Sequence, residues 1–216
     1  MRTELVFILD KSGSMSGLES DTIGGYNALL KKQRQEPGDA LVTTVLFDDN
    51  YEVLHDRVDI KSIRPLTAKE YYIGGSTALL DAIGKTIHRI INAQRQSRRE
   101  LRADQVMFVI TTDGMENASR EYGYEKIRRM VERQKQAYGW EFIFLGANIE
   151  AIAVAAKFGI GADRAANYHA DSQGTMLNYQ VISNVVSELR TSRSIDPNWK
   201  ADIDADFKER NKKRQR

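Results

Sequence analysis

Two runs, Leu5 to Leu9 and Val106 to Ile110, are apolar at every position and not only at alternate ones. A strand with one wet face alternates, so a continuous run of β-branched, aromatic and aliphatic side chains implies a strand covered on both faces. Covering both faces of a sheet requires helices on both sides, which constrains the chain to a layered α/β architecture.

The pattern along the rest of the chain agrees. Leu5 to Asp10 reads as the first strand. Residues 18 to 33 carry Ile23, Tyr26 and Leu30 at helical spacing and end before Pro37-Gly38-Asp39. Leu41 to Phe47 and Tyr51 to Val58 are strand-like runs joined by Asp48-Asp49-Asn50, a link short enough to demand an antiparallel hairpin. Ala78 to Ile91 places Leu79, Leu80, Ile83, Ile87, Ile90 and Ile91 on one helical stripe. The arginine-rich stretch from Arg95 leads to a strand over Val106 to Ile110. A helix over Tyr122 to Tyr138, a strand over Trp140 to Leu145, a short helix over Ile149 to Phe158, a weak strand over Arg164 to His169 and a helix over Gly174 to Arg190 follow. The expected fold is a doubly wound, mostly parallel central sheet with one antiparallel edge strand and helices on both faces. The domain is expected over residues 1–190. Residues 191–216, rich in Ser, Asp and charge, are expected to form a loosely attached polar extension with a basic, disordered tail.

Three loops stand where a strand or loop hands over to a helix: Asp10-Lys11-Ser12-Gly13-Ser14, Gly74-Gly75-Ser76-Thr77 and Thr111-Thr112-Asp113-Gly114. In the first, alternate oxygen-bearing side chains can face one point while Gly13 lets the backbone turn, which suits a hard divalent cation. In open α/β sheets the carboxyl ends of neighbouring strands are where ligands gather. With strands one and four adjacent, Asp10, Ser12 and Ser14 come within reach of Asp113, and Thr77 approaches from the loop above. Singly, each loop is equally well read as a capping serine, a capping threonine or a turn; jointly they point to a site.

Asp10, Ser12, Ser14, Thr77 and Asp113, in this order, resemble the metal-ion-dependent adhesion site of von Willebrand factor A domains, whose pattern is D-x-S-x-S, then Thr, then Asp. The resemblance implies the doubly wound fold and a Mg²⁺ (or Mn²⁺) ion held by Asp10, Ser12, Ser14, Thr77 and Asp113. Two carboxylates and three neutral hydroxyls leave such an ion electrophilic, so the implied partner is a protein presenting Glu or Asp. In the family the serines bind directly and the aspartates act partly through water or serine hydroxyls. Movement of the helix from Gly174 to Arg190 is expected to report occupancy. Family members of this size occur beside AAA+ ATPases and in stress-resistance operons, and nothing in the chain chooses among these partners.

Two other function classes are weighed. A magnesium-dependent phosphohydrolase or phosphotransferase would use Asp10 as nucleophile, but the usual second aspartate is replaced by Ser12 and no general base is evident. A nucleic-acid-associated protein would use the tail Lys208 to Arg216, where six basic side chains face Glu209 alone. No aromatic residues interleave that tail. The net charge of +2 gives the whole molecule little long-range pull on polyanions. Arg89, Arg95, Arg98, Arg99 and Arg102 read as a solvated face, and His55, His88 and His169 show no ligand spacing. With no cysteine there is neither a disulfide framework nor a thiolate site, in keeping with a reducing, cytoplasmic compartment. No signal sequence or membrane span is expected.

Overall fold

The computed structural model describes residues 2–214, and every expected strand is present. β1 (Arg2–Asp10), β2 (Asp39–Phe47), β3 (Tyr51–Asp59), β4 (Gln105–Thr112), β5 (Glu141–Ala147) and β6 (Ala165–Tyr168) form one sheet. The strand order is β3-β2-β1-β4-β5-β6. All neighbours are parallel except β2 and β3, which form the hairpin at one edge.

The continuous apolar runs occupy the centre of this sheet. Thr3 to Asp10 of β1 and Val106 to Thr112 of β4 are buried throughout. Leu5, Phe7 and Leu9 pack with Tyr26, Leu29 and Leu30 of α1 (Glu19–Gln33) and with Ile182 and Val186 of α5 (Ser172–Ser192). Val6 and Ile8 face the opposite layer, with Ile83 and Ile87 of α2 (Leu79–Gln96), Ile127 and Val131 of α3 (Tyr124–Tyr138) and Ala155 of α4 (Ala151–Lys157). Each such aliphatic side chain contributes about 1.5 to 3 kcal/mol by leaving water. Two cores of comparable extent therefore hold the sheet from both sides.

Element ends differ from the sequence reading for identifiable reasons. α2 continues past Ile91 to Gln96 because nothing in Asn92 to Gln96 breaks a helix, and it stops at Ser97, whose backbone is extended. α3 begins at Tyr124 and not at Tyr122, because the amides of Arg120, Glu121 and Tyr122 donate to the buried carboxylate of Asp81 (3.0 Å each). α5 starts early, with the Asp171 side chain accepting from the Gly174 amide (3.0 Å).

The larger correction concerns the carboxyl-terminal segment. It is not a loose extension: Ile195, Trp199 and Ile203 are buried in the same core as Leu5 and Phe7, and α6 (Ala201–Arg214) follows. Trp199 Nε1 donates to the Asp163 carbonyl (2.7 Å), and Lys200 Nζ donates to the carbonyls of Ala162 and Ala165 (2.7 Å each). His169 stacks on Phe207 with centroids 4.8 Å apart, and Arg210 pairs with Asp171. α6 thus runs along β6 and covers an otherwise open sheet edge. Polar composition concealed three apolar anchors spaced four residues apart. The basic residues Lys208, Arg210, Lys212 and Lys213 lie on this helix, while Gln215 and Arg216 lie outside the described residues. Among the described residues, no helix is long and apolar enough to cross a membrane.

Candidate metal centre

The site is built at the carboxyl ends of β1 and β4, which the register Leu9 opposite Thr111 brings side by side. Beyond Asp10 the chain enters a single 3-10 turn, Gly13–Met15, before α1. Its position is fixed by backbone bonds to two other loops. The Lys11 amide donates to the Phe47 carbonyl (2.8 Å), the Gly74 amide to the Lys11 carbonyl (3.0 Å) and the Gly13 amide to the Gly75 carbonyl (3.2 Å). Gly75 has φ +68°, and a Cβ there would stand 1.8 Å from Asp49 Oδ1, so this close approach requires glycine.

All five residues singled out in the sequence meet here. Thr77 Oγ1 donates to Ser12 Oγ (3.1 Å), Ser12 Oγ lies 3.3 Å from Ser14 Oγ, and Ser14 Oγ donates to Asp113 Oδ1 (2.5 Å). The α-carbon of Gly114 faces this row, because a Cβ there would lie 2.9 Å from both Ser14 Oγ and Thr77 Oγ1 and 3.8 Å from Ser12 Oγ. Three hydroxyls and a carboxylate therefore converge on one small space that a methyl group would fill.

The two carboxylates play different parts. Asp10 is 1% exposed and both its oxygens are engaged: Oδ1 accepts from the Ser12 amide (2.7 Å) and Oδ2 from Thr112 Oγ1 (2.5 Å). Burial pushes its pKa up to about 6, with the nearby Asp113 charge adding to the rise and the bonds from Ser12 and Thr112 opposing it. Asp113 is also raised by burial, against the bond from Ser14. Its second oxygen, Oδ2, is buried without a hydrogen-bond partner among the described residues. A buried carboxylate oxygen left unpaired is costly, and a divalent cation is one group that would supply the missing positive charge.

Several supporting residues carried no sequence signal. The Thr77 amide donates to Asn117 Oδ1 (2.9 Å), and the Asn117 amide returns a bond to the Thr77 carbonyl (3.1 Å). Glu116 Oε2 accepts from the Leu80 amide at the start of α2 (2.8 Å), while Asp81 on α2 caps the same loop from the other side. Tyr71 Oη donates to the Asp10 carbonyl (2.5 Å). Asp48 and Asp49 of the hairpin take structural roles: Asp48 Oδ1 accepts from the Asn50 amide (2.6 Å) and Asp49 Oδ1 from the Ser76 amide (3.2 Å). Asn117, Glu116, Asp81 and Tyr71 lie 36 to 61 residues from the groups they hold, so local pattern could not reveal them.

His55 Nδ1 lies 2.9 Å from Thr44 Oγ1 inside the fold and His169 stacks on α6, so both serve packing. Among the described residues no three His, Cys, Asp or Glu side chains are grouped to hold a metal. Any cation here would rest on hydroxyls as much as on carboxylates.

Solved structures with this fold include a von Willebrand factor type A protein from Catenulispora acidiphila (TM-score 0.60, 14% identity), over 86% of this chain and 42% of that one. Proximal thread matrix protein 1 from the mussel byssus, in a form with a zinc occupied MIDAS motif, matches with TM-score 0.56 and 13% identity, over 86% of this chain and 46% of that one. The pilus adhesin SpaC from Lactobacillus rhamnosus GG matches with TM-score 0.63 and 11% identity, over 87% of this chain and 30% of that one. The chain spans less than half the length of each, and at these identities the likeness is one of fold. No curated protein matches it. Residues 4–166 match the family model of the von Willebrand factor type A domain, the larger part of the sequence, and the chain belongs to that family.

Proposed function

We propose that this protein is a metal-dependent interaction module, in which a divalent cation held at Ser12, Ser14, Thr77 and Asp113 captures an acidic side chain of a protein partner. Domains of this family are often metal-dependent and mediate protein interactions. The observation that carries the reading is the buried, partnerless Oδ2 of Asp113 beside three converging hydroxyls. This donor set fits Mg²⁺ or Mn²⁺, hard ions that take oxygen ligands. Such an ion, balanced by few protein charges, favours one further carboxylate oxygen from outside. The zinc occupied motif in the mussel protein supports a metal at the corresponding place.

Asp10 serves as a brace. With one oxygen on the Ser12 amide and the other on Thr112, it fixes the serine loop and orients the hydroxyls. That engagement argues against the phosphotransferase alternative, in which Asp10 would need a free oxygen to attack phosphorus. Met115, 69% exposed next to Gly114, stands on the rim where a partner would meet the site. The reading includes a cytoplasmic setting, with which the cysteine-free sequence agrees. Partners acting beside an AAA+ ATPase or within a stress operon are part of the same proposal and rest on the family alone.

The test is Mn²⁺ binding followed by electron paramagnetic resonance, with partner capture alongside. The full chain should bind Mn²⁺, and Asp113→Ala should weaken it tenfold or more. Capture of a partner should fail with chelator, with Asp113→Ala, and on replacing one Asp or Glu of that partner. Mn²⁺ binding unchanged in Asp113→Ala, or capture that survives chelation, would overturn the proposal.

A further inference from the structure

We infer a second binding site at the opposite end of the sheet: a groove between α2 and α3 that takes a nucleoside phosphate, free or as a unit of single-stranded nucleic acid. The groove encloses about 430 Å³ and is lined by Arg95, Arg102, Arg133, Gln105, Tyr138 and Trp140 among others. That volume is typical of small-ligand sites. It lies at the amino ends of β4 and β5, since Gln105 opens β4 and Trp140 immediately precedes β5. The metal loops stand at the carboxyl ends, so the two sites are independent.

Charge is the first argument. Among the described residues, Arg2, Lys11, Arg57, Lys85, Arg89, Arg128, Arg129, Arg164, Lys200, Arg210 and Lys213 each pair with a carboxylate. Arg95, Arg102 and Arg133 form no ion pair among the described residues, and all three are exposed on this groove. The acid in its wall, Asp104, is engaged by the Arg2 amide (2.7 Å). The end of α2 would repel an anion through its free carbonyls. Arg102 covers them, its Nε on the Ser97 carbonyl (3.1 Å) and its Nη2 towards the Arg95 carbonyl (3.4 Å).

The second argument distinguishes a nucleotide from an acidic peptide. Tyr138, 59% exposed, is the aromatic side chain open to a ligand, while Trp140 is buried in the wall, stacked against Phe108 with centroids 5.5 Å apart. Aromatic side chains beside guanidinium groups form the platform on which bases stack. Gln105 Oε1 is buried on this wall with no donor among the described residues, an acceptor suited to an exocyclic amino group of a base. Gln94 is fixed, receiving the Ala103 amide (3.1 Å) and donating to Glu4 (2.9 Å), so the wall is preformed.

The test is fluorescence polarisation of the full chain with a labelled single-stranded oligonucleotide. Arg95→Glu and Arg133→Glu should each weaken binding tenfold or more. Tyr138→Ala should cost about tenfold, while Tyr138→Phe binds as wild type. With three phosphates neutralised, log affinity should fall against log salt with a slope of about −2. Chelator and Asp113→Ala should change nothing, which keeps the outcome separate from that of the metal site. Displacement of the oligonucleotide by AMP assigns the groove to a single nucleotide, and no displacement assigns it to a strand. Absence of binding, groove variants that bind as wild type, loss on Lys212→Glu and Lys213→Glu instead, or equal competition by polyglutamate would each overturn the inference.

Discussion

At Gly114 a single hydrogen in place of a side chain keeps three hydroxyls open to a common ligand. Gly114→Ala puts a methyl group 2.9 Å from Ser14 Oγ and Thr77 Oγ1, inside ordinary contact distance. The expected outcome is a folded protein whose melting temperature no longer responds to Mn²⁺; calorimetric scans with and without the ion decide it, and an undiminished response would show that the ion sits elsewhere. Thr112 acts from behind the site. Thr112→Val removes the hydroxyl on Asp10 Oδ2 without changing shape, and should lower Mn²⁺ affinity by about 10- to 100-fold, the usual cost of losing a group that orients a ligand. A titration giving wild-type affinity would mean that Asp10 needs no such brace.

Elements hold this fold together through side chains their neighbours cannot replace, and α6 is the clearest instance. Ile203 is 1% exposed in the core beneath it, so Ile203→Ala should cost about 2 to 5 kcal/mol, measured by urea unfolding. A loss under 1 kcal/mol would return the segment to the status of a loose extension. The junction of β1, β3 and α2 carries a buried charge. Glu4, 0% exposed, receives Arg57 Nε at 2.9 and 3.0 Å and Gln94 Nε2 at 2.9 Å. Burial raises its pKa in spite of those partners. A carboxyl whose folded value exceeds its unfolded value stabilises more as it protonates, so its contribution grows as pH falls through the folded value. Arg57→Ala removes the main opposing influence and leaves the charge unpaired. The variant should lose about 3 to 5 kcal/mol at pH 8 and recover part of that loss at pH 5. An equal deficit at both values would place the cost in packing and not in the Glu4 charge.

Across the whole molecule, the proposed cation site lies at the carboxyl edge of the sheet and the arginine-lined groove at the amino edge. The sheet was legible because Leu5 to Leu9 and Val106 to Ile110 leave few alternatives to strands buried on both faces. The convergence of Asp10, Ser12, Ser14, Thr77 and Asp113 was legible because each lies at a strand or loop end that the topology gathers. What escaped were pairings set only by the folded chain: Asp81 capping a loop some forty residues on, Asn117 bracketing Thr77, and α6, whose anchors Ile195, Trp199 and Ile203 are too sparse to mark a helix in a charged segment. Arg95, Arg98, Arg99 and Arg102 are exposed, as a solvated face requires, and only the folded chain sets Arg133 and Tyr138 on the same groove as Arg95 and Arg102. The central claim, a divalent cation at the Asp113 cluster, is tested most directly by thermal unfolding in Mg²⁺, in Mn²⁺ and in chelator, for the wild type and Asp113→Ala. At one hundred times the dissociation constant the ion should stabilise the wild type by about 2.7 kcal/mol, a rise of about 5 to 10 °C, and leave Asp113→Ala unmoved. Equal shifts in both proteins, or none in the wild type at millimolar ion, would contradict it.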